Sequence, residues 1–136
     1  KTLSLKGLPS LEYLSLAQNR LDSIPDLTDL KKLIYLDLSG NTIKFGFQEL
    51  MKLKSVKVID LGNNGLDIVI NEFFTHVLSP LKKLPKLEML NFYSNPIQAK
   101  IKQFAYFVIN ELPKLKYLDW EVISREERTK ANKLEA

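Results

Sequence analysis

The feature that most constrains this chain is a short pattern recurring in phase along it. Residues 33–43, LIYLDLSGNTI, read L-x-x-L-x-L-x-x-N-x-I. Leu36 and Leu38 lie two apart, so they share one side of a short strand while Asp37 takes the other. Asn41 ends the strand, where its amide can bond backbone groups that have no ladder partner. Ile43 turns inward again. A unit like this cannot bury its apolar side alone, so it needs copies on both sides. Three more full copies are Leu11, Leu14, Leu16, Asn19, Leu21; Val56, Ile59, Leu61, Asn64, Leu66; and Leu87, Leu90, Phe92, Asn95, Ile97. A degenerate fifth keeps Leu115, Leu118 and Trp120 but has Ile123 in place of the Asn. Starts are separated by 22 (11 to 33), 23 (33 to 56), 31 (56 to 87) and 28 (87 to 115) residues.

The linkers carry an apolar residue every third position: Ile24, Leu27, Leu30, Leu33; Phe47, Leu50, Leu53, Val56; Leu78, Leu81, Leu84, Leu87. That period suits short 3₁₀ turns, and Pro25 and Pro85 disfavour long helices there. Strands about 4.8 Å apart on one side and bulkier connections on the other make the stack curve. The expected fold is α/β, a short right-handed horseshoe with a parallel sheet on its concave face and 3₁₀ turns and short helices on its convex face. Two units are longer. In residues 68–80 the spacing of Val69, Phe73, Phe74 and Val77 predicts an α-helix, with Ser79 and Pro80 capping a further turn. In residues 100–113 Ile101, Phe104, Ala105, Val108, Ile109 and Leu112 predict one amphipathic helix under the last strand. The charged tail that contains Leu134 is expected to begin helical and fray. Repeats are expected over residues 1–123, truncated at the N-terminal end, with a helical cap and tail over 98–136 of the same solenoid.

Composition narrows the class. The chain of 136 residues is 45% hydrophobic and 26% charged, enough for one domain with a proper core. It has no apolar run near the roughly 20 residues that a bilayer requires, so no membrane role is expected. Cysteine is absent, which favours a reducing, intracellular setting, cytoplasmic rather than nuclear. The net charge of +4 is spread along the chain, and direct nucleic-acid binding is not expected.

The repeating units and linkers are those of a leucine-rich repeat, and they resemble the intracellular class of 22-residue units typified by the nuclear regulatory subunit of protein phosphatase 1. Phe104, Tyr106, Val108, Leu112-Pro113, Leu115, Leu118-Asp119 and Glu127-Arg128 resemble the C-terminal cap of several relatives. These are the spliceosomal A-prime protein, acidic nuclear phosphoproteins, an outer-arm dynein light chain and ciliary repeat proteins. Many of those have Gly or Phe where this chain has Trp120. The resemblance implies architecture and an intracellular setting.

The strands should present three columns on the concave face. Tyr13, Tyr35, Val58, Met89 and Tyr117 form the first; Ser15, Asp37, Asp60, Asn91 and Asp119 the second; Ala17, Ser39, Gly62, Tyr93 and Glu121 the third. Tyr and Met on a rigid sheet bury large area at small entropic cost, which suits interface anchors. The small residues Ala17, Ser39 and Gly62 should leave a trough for a helix or extended peptide, and the acidic column should orient Lys or Arg on a partner. No catalytic, metal or cofactor site is expected, because Asp37 and Asp60 belong to the repeat consensus and no His or third ligand converges on them. Trp120 should point inward and close the core. His76 stands alone, and the lysines of the linkers read as a solvated rim. The expected function is protein–protein interaction on the concave face, in an oligomeric state the sequence leaves open, a monomer included. A ribonucleoprotein component is the alternative. A cytoskeletal or axonemal subunit, or a phosphatase regulator, comes after that.

Overall fold

The repeat spacing sets the architecture of residues 5–133, the part of the chain described by the computed structural model. Each unit contributes one short strand: β1 (Tyr13–Ser15), β2 (Tyr35–Asp37), β3 (Val58–Asp60), β4 (Met89–Asn91) and β5 (Tyr117–Leu118). They pair in parallel and in chain order, with Leu14, Leu36, Ile59, Leu90 and Leu118 in one register row. That row faces the core, and from Leu36 onward every member is buried. Alternation then puts the preceding residue of each strand on the opposite, open face.

The sheet is not wholly parallel, as the spacing had suggested. A sixth strand, β6 (Glu121–Val122), folds back antiparallel on β5 through a two-residue turn at Asp119 and Trp120. Both turn residues have positive φ, 51° and 68°. That is the type I′ pattern, whose twist matches a tight hairpin.

Between strands the chain is held by buried asparagines. Asn41 Oδ1 accepts from the N–H groups of Asn19 (2.9 Å) and Leu21 (3.0 Å), while its Nδ2 donates to the carbonyls of Leu16 and Leu38. Asn95 repeats the arrangement two units on, and Asn64 between them does so with a single N–H, that of Ile43. The amide therefore does what the sequence requires of it, serving donors and acceptors that the short strands leave unpaired.

Behind the sheet, the three-residue period appears as N–H to C=O bonds from Leu30 to Leu27, Leu53 to Leu50 and Val56 to Leu53. Among the described residues only Phe47–Lys52 extends into a full 3₁₀ helix. The insertion is helical over 70–82 but is not a simple α-helix. α1 (Ile70–Glu72) runs into a π-turn over Phe73–Leu78, which continues as α2 (Ser79–Lys82). Ser79 caps nothing and its N–H reaches back five residues to the Phe74 carbonyl. Pro80 sits inside the helical run, where it lacks an N–H and its ring crowds the carbonyl four residues earlier. The wider π-turn relieves that crowding.

The second long unit also divides in two. α3 (Ile97–Lys100) and α4 (Phe104–Glu111) are separated by extended Ile101 and left-handed Gln103. Ile101, Phe104, Val108, Ile109 and Leu112 are buried as expected, whereas Ala105 is exposed. The end of the chain explains the cap residues. Ser124 and Glu127 exchange hydrogen bonds of 3.0 Å at the start of α5 (Arg125–Lys133), a capping box. Arg128 then donates to the carbonyls of Ile109 (2.7 Å), Leu112 (3.1 Å) and Leu115. Its guanidinium thus gathers carbonyls from the C-terminal turn of α4 and the segment that follows it. Leu134 lies outside the described residues.

Candidate functional site

The parallel register assembles one continuous row on the open face: Tyr13, Tyr35, Val58, Met89 and Tyr117. The hairpin adds a sixth member, because Val122 lies directly opposite Tyr117. At one end Tyr13 is 60% exposed and at the other Val122 is 66% exposed, with the four between them half-buried. Five strand spacings of about 4.8 Å make the row about 24 Å long. Tyr13 and Tyr35 stack with centroids 4.5 Å apart and planes 14° from parallel, which fixes both rings before any partner arrives. Reading the sequence alone misses Val122; the signal would have been an alternation broken by a turn at Asp119-Trp120.

The second row differs from the sequence expectation. Asp37 is half-buried and its Oδ1 accepts from the N–H (2.9 Å) and hydroxyl (2.7 Å) of Ser39. Asp60 and Asn91, expected on an accessible face, are buried, with 3% and 0% exposure. The cause is Tyr93. Its ring lies against Gly62, so close that a Cβ there would fall 2.4 Å from the ring. The Tyr93 hydroxyl donates to Asp60 Oδ2 (3.3 Å), while the Gly62 N–H donates to Oδ1 (2.9 Å). Tyr93 thus fills the trough that Gly62 was expected to open, and only the Ala17–Ser39 part of it remains. Asp119 is also internally engaged, its Oδ1 accepting from the Phe92 N–H (2.6 Å) and its Oδ2 from Gln98 Nε2 (3.0 Å). It closes the sheet where another strand's backbone would otherwise continue.

Burial pushes the Asp60 carboxyl above its ordinary range, and Asp37 on the neighbouring strand adds to the shift; the Gly62 N–H and the Tyr93 hydroxyl oppose it. Asn91 Nδ2 approaches the same carboxylate but completes no hydrogen bond. Tyr93 and Tyr35 are both raised, burial being the main cause. A folded-state pKa above the unfolded one means that the native state holds the proton more tightly. Its contribution is fully present below the unfolded value near 3.8 and is lost as pH rises through the folded value. Asp60→Asn should therefore raise the melting temperature at pH 7 and flatten its decline from pH 4 upward. A lower melting temperature at pH 7 would mean that the ionised carboxylate supports the fold.

The remaining candidates separate from this face. Trp120, expected inside, is 54% exposed at the hairpin tip, where the turn arrives before an inward strand position can form. His76 is exposed on the insertion. Of the two insertion phenylalanines Phe73 is buried and Phe74 half-buried, while Val69, expected on the apolar side, is exposed. Among the described residues no group of His, Cys, Asp and Glu converges to hold a metal ion, and no helix is long and apolar enough to cross a membrane.

In-phase strands, buried asparagines and an open sheet face decide the architecture. This chain folds as a leucine-rich-repeat solenoid. The family model for leucine-rich repeats (2 copies) matches residues 9–45. A probable inactive serine/threonine-protein kinase of Dictyostelium discoideum is 53% identical over 135 residues, covering 98% of this chain and 7% of that protein. Acidic leucine-rich nuclear phosphoprotein 32-related protein 1 of Oryza sativa subsp. japonica is 34% identical over 117 residues, covering 85% of this chain and 23% of that one. The chain thus spans under a quarter of either curated relative. A chain in the crystal structure of the Drosophila melanogaster SNF/U2A′ complex matches with a TM-score of 0.68 and 21% identity, over 89% of this solenoid and 79% of that chain. The expected likeness to the acidic nuclear phosphoproteins holds in sequence, and the likeness to a chain of the SNF/U2A′ complex holds in the fold.

Proposed function

We propose that this solenoid is a non-catalytic protein-binding module whose open sheet face receives a segment of another protein, a helix or an extended strand. The observation that supports it is the unbroken row Tyr13, Tyr35, Val58, Met89, Tyr117 and Val122. Leucine-rich-repeat scaffolds use such extended inner surfaces for recognition, and half-buried aromatic anchors on rigid strands lose little entropy when covered. Asp37 gives the row a negative flank within a chain of net charge +4, so basic partner segments are favoured over acidic ones. With Asp60 buried, Asp37 carries that preference among the carboxylates of the five parallel strands.

Absence of cysteine supports an intracellular setting. Relatives that include nuclear phosphoproteins give the cytoplasm no preference over the nucleus. The fold likeness to a chain from the SNF/U2A′ complex lends the ribonucleoprotein reading no weight beyond shared architecture.

The test compares capture from cell lysate by wild type, by Tyr13→Ala/Tyr35→Ala/Met89→Ala, and by Phe45→Ser/Val69→Ser on the other side of the molecule. Tyr93 is left intact because it packs on Gly62. Expected is loss of specific partners in the triple variant alone, at an unchanged melting temperature. Equal capture by the triple variant and wild type would remove the site from this face.

A further inference from the structure

Units two to five each enter their strand through the same two-residue turn. The turns are Lys31-Lys32, Lys54-Ser55, Pro85-Lys86 and Pro113-Lys114. In three of them the closing residue, Leu33, Val56 or Leu115, donates its N–H to the carbonyl three residues earlier. The apolar residues on either side of every turn are buried, which pushes the turn residues outward, and all five lysines are exposed. Directly after each closing residue the backbone is already in the ladder. Lys57 N–H donates to the Ile34 carbonyl (2.8 Å), Glu88 N–H to that of Lys57 (2.8 Å) and Lys116 N–H to that of Glu88 (2.9 Å). The turns are therefore stacked in the order of the strands, and three spacings of about 4.8 Å carry the stack about 14 Å from Lys32 to Lys114. Charge that is scattered in the sequence becomes a line along the edge where the strands begin.

The fold neutralises other lysines of the same linkers and leaves these alone. Lys52 pairs with Glu49 (2.7 Å) and Asp26 (3.3 Å), and Lys82 with Glu111 (3.0 Å). Among the described residues Lys31, Lys32, Lys54, Lys86 and Lys114 make no ion pair, although Asp29 is exposed two positions before Lys31. Lys31 and Lys54 hold the first turn position of neighbouring units, Lys86 and Lys114 the second, and like charges about one spacing apart repel. The turn itself does not call for lysine, since Pro9-Ser10 makes the corresponding turn of the first unit without one.

Charge complementarity makes the occupant a linear polyanion, and the setting selects a polypeptide. The turns carry no aromatic ring and no Arg, the side chains that stack bases and fork onto phosphates. Of the four residues that follow them only Ile34 is an exposed apolar side chain, too little to anchor in a bilayer. A carboxylate needs only the point charge that Lys supplies, and about five extended residues reach across the line. We propose that this lysine edge is a second interaction surface, separate from the open sheet face. It takes an extended partner segment rich in Asp and Glu, laid across units two to five with its carboxylates on the turn lysines.

The probes are a dye-labelled 16-residue peptide alternating Glu and Gly, the same peptide with Gln for Glu, a thymidylate strand of equal length, and vesicles of phosphatidylcholine and phosphatidylserine. Expected for wild type is binding of the Glu peptide and not of the Gln peptide. Affinity should fall at least tenfold in Lys31→Gln/Lys54→Gln/Lys86→Gln/Lys114→Gln. Lys44→Gln/Lys102→Gln/Lys130→Gln/Lys133→Gln removes the same four charges elsewhere and should bind within twofold of wild type. The turn variant should melt at the wild-type temperature or above, because its lysines pair with no described carboxylate; a lower melting temperature overturns an edge kept free for a partner. Equal losses in the two quadruple variants reduce the effect to net charge and overturn the line, as does failure to bind the Glu peptide or equal binding of the Gln peptide. Thymidylate bound as tightly as the Glu peptide, or vesicles bound in its place, overturns the polypeptide occupant. Tyr13→Ala/Tyr35→Ala/Met89→Ala should keep wild-type affinity for the Glu peptide, and a loss there overturns the separation of this edge from the open face.

Discussion

Asn95→Ala should destabilise the solenoid by about 2–6 kcal/mol, since it orphans two buried backbone donors at about 1–3 kcal/mol each. Those donors are the N–H groups of Asn64 (3.0 Å) and Leu66 (2.9 Å), both bound to Asn95 Oδ1. The carbonyls of Leu61 (2.9 Å) and Phe92 (2.8 Å) lose the Nδ2 of the same side chain. Leu61 O keeps a second bond from Asn64 Nδ2 (3.2 Å), so the cost falls mainly on the donors. Against a total stability of about 5–15 kcal/mol this is a large fraction. Asn95→Asp keeps the acceptor but turns an oxygen toward two carbonyls, so it should be at least as harmful at pH 7 and partly recover in acid, where a protonated carboxyl can donate. Asn19 is the internal control. It occupies the same repeat position but is exposed, and among the described residues its side chain makes a single bond, to Ala17 O. Asn19→Ala should lie within about 0.5 kcal/mol of wild type. Urea unfolding followed by circular dichroism would decide this, and similar losses for Asn19→Ala and Asn95→Ala would sink the ladder argument.

Much of this was legible in the sequence because strand alternation and the buried asparagine are local rules. Leu36, Leu38 and Asn41 declare their directions from their own spacing, and their neighbours in the stack obey the same rule. What stayed hidden depends on contacts between units or on breaks in the pattern. Asp60 reads as an accessible carboxylate until Tyr93, 33 residues later, is placed over Gly62. Leu118 and Trp120 read as inward neighbours on one strand, but Asp119 turns the chain and its carboxylate takes the Phe92 N–H instead. The single helix expected over 100–113 begins at Phe104, because left-handed Gln103 separates it from α3. In each case residue type was read correctly and orientation was set elsewhere.

The same distinction makes Phe73 the informative residue of the insertion. A helix added to one unit can be an appendage that offers a surface or a wedge that joins units. Phe73 is buried, and its ring meets Phe92 of the fourth unit (5.5 Å) and Phe104 of the cap helix (5.4 Å). Phe92 and Phe104 meet each other edge to face at 5.7 Å. The three rings come from three successive segments, so they close the core where the spacing between units is largest. Removing one ring loses its transfer energy and leaves a cavity that flanking strands cannot collapse into, because their register is fixed by the sheet. Phe73→Ala should therefore cost about 3–5 kcal/mol, whereas Val69→Ser on the exposed side should cost about 0.5 kcal/mol or less. In a solenoid each unit contacts mainly its neighbours, so hydrogen exchange in Phe73→Ala should speed up most in α4 and β5 and least in β1 and β2. If Phe73→Ala is no worse than Val69→Ser, the insertion is an appendage. The π-turn that carries Phe73 would then need a role outside the core.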